Sequence, residues 1–441
     1  MNDRLTRREL VGYAWSLQHE SGREVPPLDA DALAAVPDDD LDALLRSLDE
    51  APVRGDWPYR EPSAEAEVLA ALPAAAPPVV PGADLADRVA GAWLGRVAGN
   101  MLGKPVEVGW SRARLDEYLR VSGSLDADGL LADWVVADAA LAGAHALEAS
   151  WPATTRGRVS GSVRDDDVDY TVLALGLLEE HGLGMTAVDV ADAWLRTLPY
   201  LQVFTAERAA YANLVAGLEP PATAVVDNPF GEWIGALIRA DAYGLALPGR
   251  PREAARAALR DASVSHVANG LYGATWVASL VANAVVATSA DEALARSLAE
   301  VPPGTRLHEV LERTIALHAE GAGWADALGR LDAELGLAAL HHVNVLNNAA
   351  VIAAALLWGD GDPVRTVGLA VQGGLDTDST AATAGCVVGA LRGRDALPGR
   401  WRDELGDVVR TGLFGVGETS LTALADRTLA VARRLAGDGA V

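Results

Sequence analysis

The sequence predicts an all-α fold: a compact helical domain with a small helical N-terminal appendage. Half of the 441 residues are apolar, whereas aromatic residues make up only 5%. The apolar residues are mainly Ala, Leu and Val, which favours helices packed through small side chains over β-strands. Apolar positions recur with helical spacing between Gly and Pro residues, and no convincing run alternates in the manner of a strand. This much apolar material is enough for a large buried core.

The N-terminal region predicts short amphipathic helices rather than one continuous helix. Thr6 and Glu9 have the spacing of a capping box, and the helix that they begin is expected to end near Gly22. A second helical pair is predicted at about 29–50. These segments are too short to form a large core, so we interpret them as an appendage to the rest of the chain.

A proline-rich segment separates this appendage from the main helical region. The run LPAAAPPVVPG at 72–82 is expected to be a linker, because repeated proline removes backbone donors and stops a helix. We therefore predict an appendage with its linker at 1–80 and a catalytic domain at 81–441. The helices predicted in that domain lie at 87–103, 168–181, 187–197, 205–217, 251–264, 271–287, 291–300, 344–358, 364–371 and 380–391.

Charge and composition exclude several classes of protein. The net charge is −25 and the 36 basic residues are scattered, so no nucleic-acid binding is expected. The longest apolar run, 271–287, contains Asn283 and is expected to be a buried helix rather than a membrane span. Cys386 is the only cysteine, and the first ten residues lack the apolar region of a signal peptide. These features predict a cytoplasmic protein that does not associate with a membrane.

Three successive carboxylates precede one of the predicted helices. Asp165, Asp166 and Asp167 stand directly before an apolar helix that ends near Gly182. In the irregular turn at a helix start, adjacent side chains can converge on one cation. Helix capping by acids near the positive end of the helix dipole is the competing explanation, and taken alone this run favours it.

A second acidic run begins the helix of small residues near the C-terminus. Asp376, Asp378 and Ser379 lie between a pair of glycines and a segment rich in Ala and Gly. The glycines permit a tight turn, and the small residues allow the helix to approach its neighbours closely. Two carboxylates and a hydroxyl are hard oxygen ligands, unlike the sulfur or paired imidazoles of a zinc site. Taken alone, capping and metal binding explain this run about equally well.

The two acidic runs together favour a metal site. Several aspartates gathered at helix starts in one domain would repel one another without a cation between them. Mg²⁺ prefers carboxylate and water oxygens in octahedral geometry and leaves positions open for a substrate diol and a water. We therefore predict one site that joins both runs and binds Mg²⁺, with Mn²⁺ as a possible substitute.

The order of these motifs resembles the ADP-ribosylglycohydrolase family over about residues 84–435. A G-x-x-x-G-N-x-x-G-x-x-x-E segment comes first, DDD before a helix second, and G-x-DTDS before a small-residue helix third. The family usually has GDA-x-G, T-DDT and GDTDT at these places. This chain departs from the family pattern at Asn100 (family Asp), Asp165 (Thr), Val168 (Thr), Leu375 (Gly) and Ser379 (Thr).

The resemblance implies a compact all-helical fold and a dinuclear site. Two Mg²⁺ ions would be held by Asp165, Asp166, Asp167, Asp376, Asp378 and Ser379. Glu107 matches the glutamate that closes the first motif, which in some family members is a ligand or a mobile flap over the metals. An exposed acid without a role is the alternative for Glu107.

Three residues in the middle of the chain are candidate substrate contacts through the same resemblance. Gly235 would let backbone amides approach a pyrophosphate, as glycine at a helix start often does. Arg239 is expected to anchor either a helix or the ligand, and the structural role is slightly favoured. His266 matches a family Ser/Thr-His pair near the substrate, although a core histidine is the alternative. Asn347 and Asn348 also match the family but are expected to bond within the core.

The implied activity is hydrolysis at the anomeric carbon of an ADP-ribosyl group. The metals would bind ribose hydroxyls and orient a water, while Glu107, Asp166 or Asp376 takes its proton. The expected partner is an ADP-ribosylated protein. Two alternatives stay open: a hydrolase of a small ribosyl nucleoside or nucleotide metabolite, which the motif departures favour, and a noncatalytic ADP-ribose-binding module.

Overall fold

The computed structural model of the chain describes residues 5–141 and 143–437 and has four helices in its N-terminal region. Thr6 caps the first helix in a full capping box with Glu9, as the sequence predicts. Leu10 and Val11 of that helix pack with Leu45 and other leucines in a small apolar cluster, separate from the main core. The helices are α1 (Arg7–Glu20), α2 (Ala30–Ala35), α3 (Leu41–Asp49) and α4 (Glu65–Ala71).

The main region is also helical, which confirms the predicted all-α fold. One continuous core unites its helices, and the two strands of two residues each, Val409–Arg410 and Glu418–Thr419, pair antiparallel. Each of the ten helical segments predicted in this region contains a helix. The helices are α5 (Leu85–Gly103), α6 (Arg112–Val121), α7 (Trp151–Thr154), α8 (Asp166–His181), α9 (Ala187–Thr197), α10 (Thr205–Val215), α11 (Asp241–Ala246), α12 (Pro251–Ala262), α13 (Ala268–Ala284), α14 (Ala290–Ser297), α15 (Arg306–Ala319), α16 (Trp324–Leu335), α17 (Val345–Trp358), α18 (Pro363–Gln372), α19 (Thr377–Arg392), α20 (Gly399–Leu405) and α21 (Leu421–Ala436).

Several helices were not predicted from the sequence, among them α6 and α15. Helices α6 and α15 carry charged residues between their apolar positions, so they lack the long apolar runs on which the prediction relied. The segment Ile234–Arg239 forms a 3₁₀ helix rather than an α-helix. Among the described residues, no helix has both the length and the apolar character needed to cross a bilayer.

Helices α5 and α19 lie at the centre and touch backbone to backbone. They run antiparallel: the contact positions rise by four residues at a time along α5 while their partners fall by four along α19. A Cβ added to Gly95 would lie 2.1 Å from the carbonyl oxygen of Gly385, and a Cβ added to Gly385 would lie 2.1 Å from that of Gly95. The same closeness recurs between Gly91 and the backbone at 389, between Gly99 and that at 381, and between Gly103 and that at 377.

The proline-rich segment is non-helical and lies against the main region. The backbone N–H of Val79 donates to the carbonyl of Gly249, at 2.9 Å. Before the proline-rich segment, Glu61 forms an ion pair with Arg306 of the main region, at 2.7 Å. The appendage is therefore attached to the main region by polar contacts as well as by packing.

Candidate functional site

Three segments converge at one end of the α5–α19 pair. Helix α5 ends at Gly103 and continues into a 3₁₀ turn, Lys104–Val106, that leads to Glu107. Helices α8 and α19 both begin beside this turn, so their positive N-terminal ends face the negative end of α5. The Thr377 hydroxyl donates to the carbonyl of Gly103, at 2.9 Å, and fixes the two helix ends together. The site is therefore positioned by helix packing.

The carboxylates at this point form two groups. The α8 group consists of Asp165, Asp166 and Asp167, and the α19 group consists of Glu107, Asp376 and Asp378. Within each group, one oxygen of every residue lies within 4.8 Å of the others. The sequence predicted the α8 group and the aspartates of the α19 group, and Glu107 joins the latter as the family resemblance implied.

The structure brings the two groups into contact. The Ser379 hydroxyl donates to Asp167 Oδ2, at 3.1 Å, so a residue of α19 binds a carboxylate of α8 directly. Asp165 is the N-cap of α8 and accepts the backbone N–H of Asp167, at 3.1 Å. Capping and convergence thus coexist here, and the two sequence interpretations do not exclude each other.

A lysine that the sequence analysis did not single out lies between the two groups. Lys104 Nζ is 2.6 Å from Asp165 Oδ2, 2.6 Å from Glu107 Oε2 and 3.0 Å from Asp378 Oδ2. Its side chain is 14% exposed. The sequence contained a signal for this position, because Lys104 is the only lysine among the 36 basic residues of the chain.

The single ammonium does not neutralise this concentration of carboxylates. Burial and the neighbouring Asp165 raise the pKa of Asp166 to about 8. Burial, with the charge of Asp378, also raises the pKa of Asp167, Asp376 and Glu107 well above the ordinary range. Asp165 differs: burial acts to raise its pKa, but Lys104 and hydrogen bonds from Asp167 together lower it below the ordinary value. Most of these carboxyls are therefore disfavoured as anions, and a further cation would stabilise their ionised form.

The donor atoms of the site fit a divalent cation such as Mg²⁺. The candidate ligands are carboxylate and hydroxyl oxygens, which hard cations prefer. Asp167 Oδ1 and Asn100 Oδ1 are buried, and among the described residues neither has a hydrogen-bond partner. Buried oxygens without partners are costly in a native structure unless an ion or a water satisfies them.

Residues behind the carboxylates hold them in position. Arg96 is fully buried, donates to the backbone carbonyl of Asp167 at 2.8 Å and pairs with Asp241 at 2.8 Å. The side-chain oxygen of Asn348 accepts the backbone N–H of Asp376, at 3.2 Å. Asn347 and Asn348 bond within the core as expected.

One departure from the family pattern has a visible backbone cost. Leu375, where the family usually has glycine, adopts a left-handed conformation with φ +68° immediately before Asp376. This conformation costs a residue with a side chain about 1–2 kcal/mol relative to glycine. The turn into α19 is therefore held in a strained conformation next to its carboxylates.

The three predicted substrate contacts lie together in a different, buried cluster. Arg239 is 1% exposed; it bonds the Asp261 carboxylate and donates to Glu207 Oε1, at 2.6 Å. His266 Nε2 accepts the N–H of Ala236, at 3.2 Å, and burial lowers its pKa well below the ordinary value.

Gly235 belongs to the same cluster. A Cβ at Gly235 would lie 2.1 Å from Glu207 Oε1, so glycine is needed there for close packing. Substrate binding by Gly235, Arg239 and His266 stays a prediction. The contacts of Arg239 are those of the structural role that the sequence slightly favoured.

Fold and site together define an all-helical protein whose buried carboxylates can bind a metal ion. The sequence profile of the ADP-ribosylglycohydrolase family matches residues 81–438. The chain therefore belongs to the ADP-ribosylglycohydrolase family, whose members are glycosyl hydrolases.

A solved structure described as an ADP-ribosylglycohydrolase-related protein complex is similar, with 20% sequence identity and a TM-score of 0.44 over 80% of this chain and 99% of the other. No curated protein matches the sequence significantly.

Proposed function

We propose that this protein is a Mg²⁺-dependent glycohydrolase that cleaves the anomeric bond of an ADP-ribosyl group carried by a protein side chain. The observation that carries the proposal is the convergence of two carboxylate groups at the ends of α5, α8 and α19, in a chain of this family. The proposed metal ligands are Asp165, Asp166, Asp167, Asp376, Asp378 and Ser379, and Mn²⁺ is a possible substitute. When bound, the ion supplies Lewis-acid chemistry and neutralises carboxylate charge.

The residues of the chain suggest how the reaction is divided among them. The Glu107 side chain is 33% exposed and Asp166 is half-buried, so both reach the solvent-facing side of the site. We propose that one of them accepts a proton from the attacking water. Asp376 is 6% exposed and is the third candidate for this role. The buried carboxylates favour the positive charge that develops on the sugar ring as the bond breaks.

We assign the remaining features of the chain in the same way. The unit that carries the activity is proposed to be 81–441, with 1–80 as an appendage. Gly235 and His266 are proposed as substrate contacts, and Arg239 is proposed to anchor the same segment of the fold. The cytoplasm is the proposed compartment.

The test is release of free ADP-ribose from peptides with arginine-linked or serine-linked ADP-ribose. We expect release with Mg²⁺, loss with EDTA and recovery when Mg²⁺ is restored. Asp166→Asn and Asp378→Asn should lower the rate by about 100-fold or more. Asp192→Asn, which alters an exposed aspartate in α9, is the matched control and should leave the rate unchanged.

The same assay separates the proposal from two other functions. Asn100 and Asp165 change the site from the family pattern, and this observation favours a small-molecule ribosyl substrate as the second candidate. Turnover of a nucleoside without release from any peptide would replace the proposed substrate. ADP-ribose binding that survives Asp376→Ala, without hydrolysis, would instead identify a binding module.

A further inference from the structure

We propose that the Lys104 ammonium takes the place of one of the two divalent cations, so that this chain binds a single divalent ion. The inference rests on the proposed function in one respect, since it concerns the metal site of that enzyme. It differs from the two-ion site that the family resemblance implies, and it makes Glu107 and Asp378 partners of the ammonium rather than of a metal ion. Its support is the position of Lys104 and the choice of residue at that position.

The position of Lys104 is that of a bridging cation. Its three contacts come from the start of α8, from the start of α19 and from the turn after α5, at 2.6, 3.0 and 2.6 Å. An ammonium has three donors. Glu107 and Asp378 accept hydrogen bonds from Lys104, and Asp165 forms an ion pair with it. The contacts therefore tie together the same elements that a shared metal would join.

The choice of lysine at this position is unusual for this chain. Thirty-five of its 36 basic residues are arginine, and the one lysine stands here. A guanidinium is planar and presents its donors as a fork, whereas an ammonium is a compact point charge with donors in three directions. Only the ammonium matches three carboxylates that converge from different sides, as a metal ion would.

Lys104 replaces the divalent ion that the α19 group would otherwise bind. Lys104 binds one oxygen each of Glu107 and Asp378, two of the three members of that group. A divalent ion about 2 Å from those same oxygens would lie close to the ammonium, and like charges at such separations repel strongly in a buried site. Both cations cannot therefore share the group favourably.

The α8 group keeps the features of a site for a divalent ion. Lys104 contacts only Asp165 in that group. Asp167 is 2% exposed, and among the described residues its Oδ1 has no hydrogen-bond partner, although Arg96 Nη2 lies 3.8 Å away. Asn100 donates to Asp165 Oδ1, at 3.1 Å, where an aspartate in the family pattern would add another charge. Asn100 removes one negative charge relative to an aspartate at that position, and Lys104 adds one positive charge relative to a neutral residue. Together they make the site less negative by two charges.

The experiment counts bound ions in the wild-type protein and in Lys104→Ala. Mn²⁺ is titrated into each protein, and free Mn²⁺ is measured by electron paramagnetic resonance, with calorimetry of Mg²⁺ as a second measurement. We expect one ion per chain in the wild type and two in Lys104→Ala, because the substitution frees the α19 group. The bound spectrum should be that of isolated Mn²⁺ in the wild type and of a spin-coupled pair in the variant.

A double variant locates the additional ion. Lys104→Ala with Asp376→Ala removes a ligand of the α19 group that Lys104 does not contact, so the count should return to one. Circular dichroism in the presence of Mn²⁺ verifies that each variant is folded. The wild-type count decides the question even if a variant does not fold.

The outcomes separate this inference from the proposed function. Zero or two ions in the wild type, or equal counts in the wild type and a folded Lys104→Ala, would overturn the inference. Counts of one and two without hydrolysis of any ADP-ribosyl substrate would leave the inference standing and reject the proposed activity. Hydrolysis by a wild-type protein with two bound ions would support the proposed activity and reject the inference.

Discussion

At the scale of single residues, buried charges divide between two separate tasks. The carboxylates around Lys104 are in excess over their cation, which suits a site that binds an ion. Arg239, by contrast, is matched by Glu207 and Asp261, and every nitrogen of its guanidinium has a hydrogen-bond acceptor. A balanced cluster of this kind contributes to the fold, whereas the unbalanced one is available for chemistry.

The balanced cluster predicts a large loss of stability in Arg239→Met. Removing the guanidinium leaves Glu207 and Asp261 buried without their cation, which costs about 3–5 kcal/mol. Urea unfolding followed by circular dichroism measures the change. Arg330→Met removes two surface ion pairs, with Glu320 and Glu334, and is the control, with an unfolding midpoint equal to that of the wild type. A wild-type midpoint in Arg239→Met would contradict the structural role and return Arg239 to substrate binding.

The sequence motifs contained the aspartates and the serine that lie together in the structure, but not the lysine between them. Asp167 and Ser379 were placed in one site from their motifs, and the structure brings them within 3.1 Å. Lys104 was passed over, because a lysine after a helix is usually exposed and only the fold shows what it faces. Composition offered the one available clue, namely that the chain has no other lysine.

At the scale of elements, the contact between α5 and α19 determines the separation of the two halves of the site. Gly95 and Gly385 allow backbone contact near the middle of the pair, and Gly103 meets the backbone at Thr377 where the site begins. The sequence predicted close approach from the small residues of α19. It did not identify α5 as the partner, because pairing between distant segments leaves no local pattern.

This contact predicts opposite effects for two similar glycine substitutions. Gly95→Ala places a methyl group 2.1 Å from a backbone oxygen that cannot move independently, so the helices must separate, at a cost of about 1–3 kcal/mol. Gly176→Ala in α8 meets open space and should stabilise the protein by about 0.5–1 kcal/mol. Thermal unfolding measures both changes. Stabilisation of both variants would show that helix propensity, not packing, dominates at Gly95.

At the scale of the whole molecule, the appendage meets the main region through buried charges. Ser21 donates to Glu232, at 3.0 Å, and Asn344 donates to Glu20, at 3.3 Å. Arg306 pairs with Glu232 and with Glu61, each at 2.7 Å. The sequence predicted an appendage, but the charges that attach it are dispersed over distant positions and could not be paired without the fold.

The attachment of the appendage is predicted to weaken as pH rises. Burial, reinforced by Glu232, raises the pKa of Glu20 to about 7, although Arg306 opposes the shift. A carboxyl with a raised pKa in the folded state contributes stability that is complete below about pH 4.5 and is lost as pH rises through about 7. Protection of α1 from hydrogen exchange, expressed as the ratio of the wild type to Glu20→Gln, should therefore fall between pH 5.5 and 8.5. A ratio that does not change with pH would show that Glu20 is ionised throughout this range.

The single lysine also makes the centre of the site observable by isotope labelling. Protein produced with ¹³C- or ¹⁵N-labelled lysine carries the label at one side chain in 441 residues, so one set of resonances reports on the site without any substitution. Mg²⁺ would shift those resonances, and paramagnetic Mn²⁺ would broaden them according to its distance from Lys104. A chain that uses arginine almost everywhere thus contains a built-in spectroscopic probe at the point where its carboxylates converge.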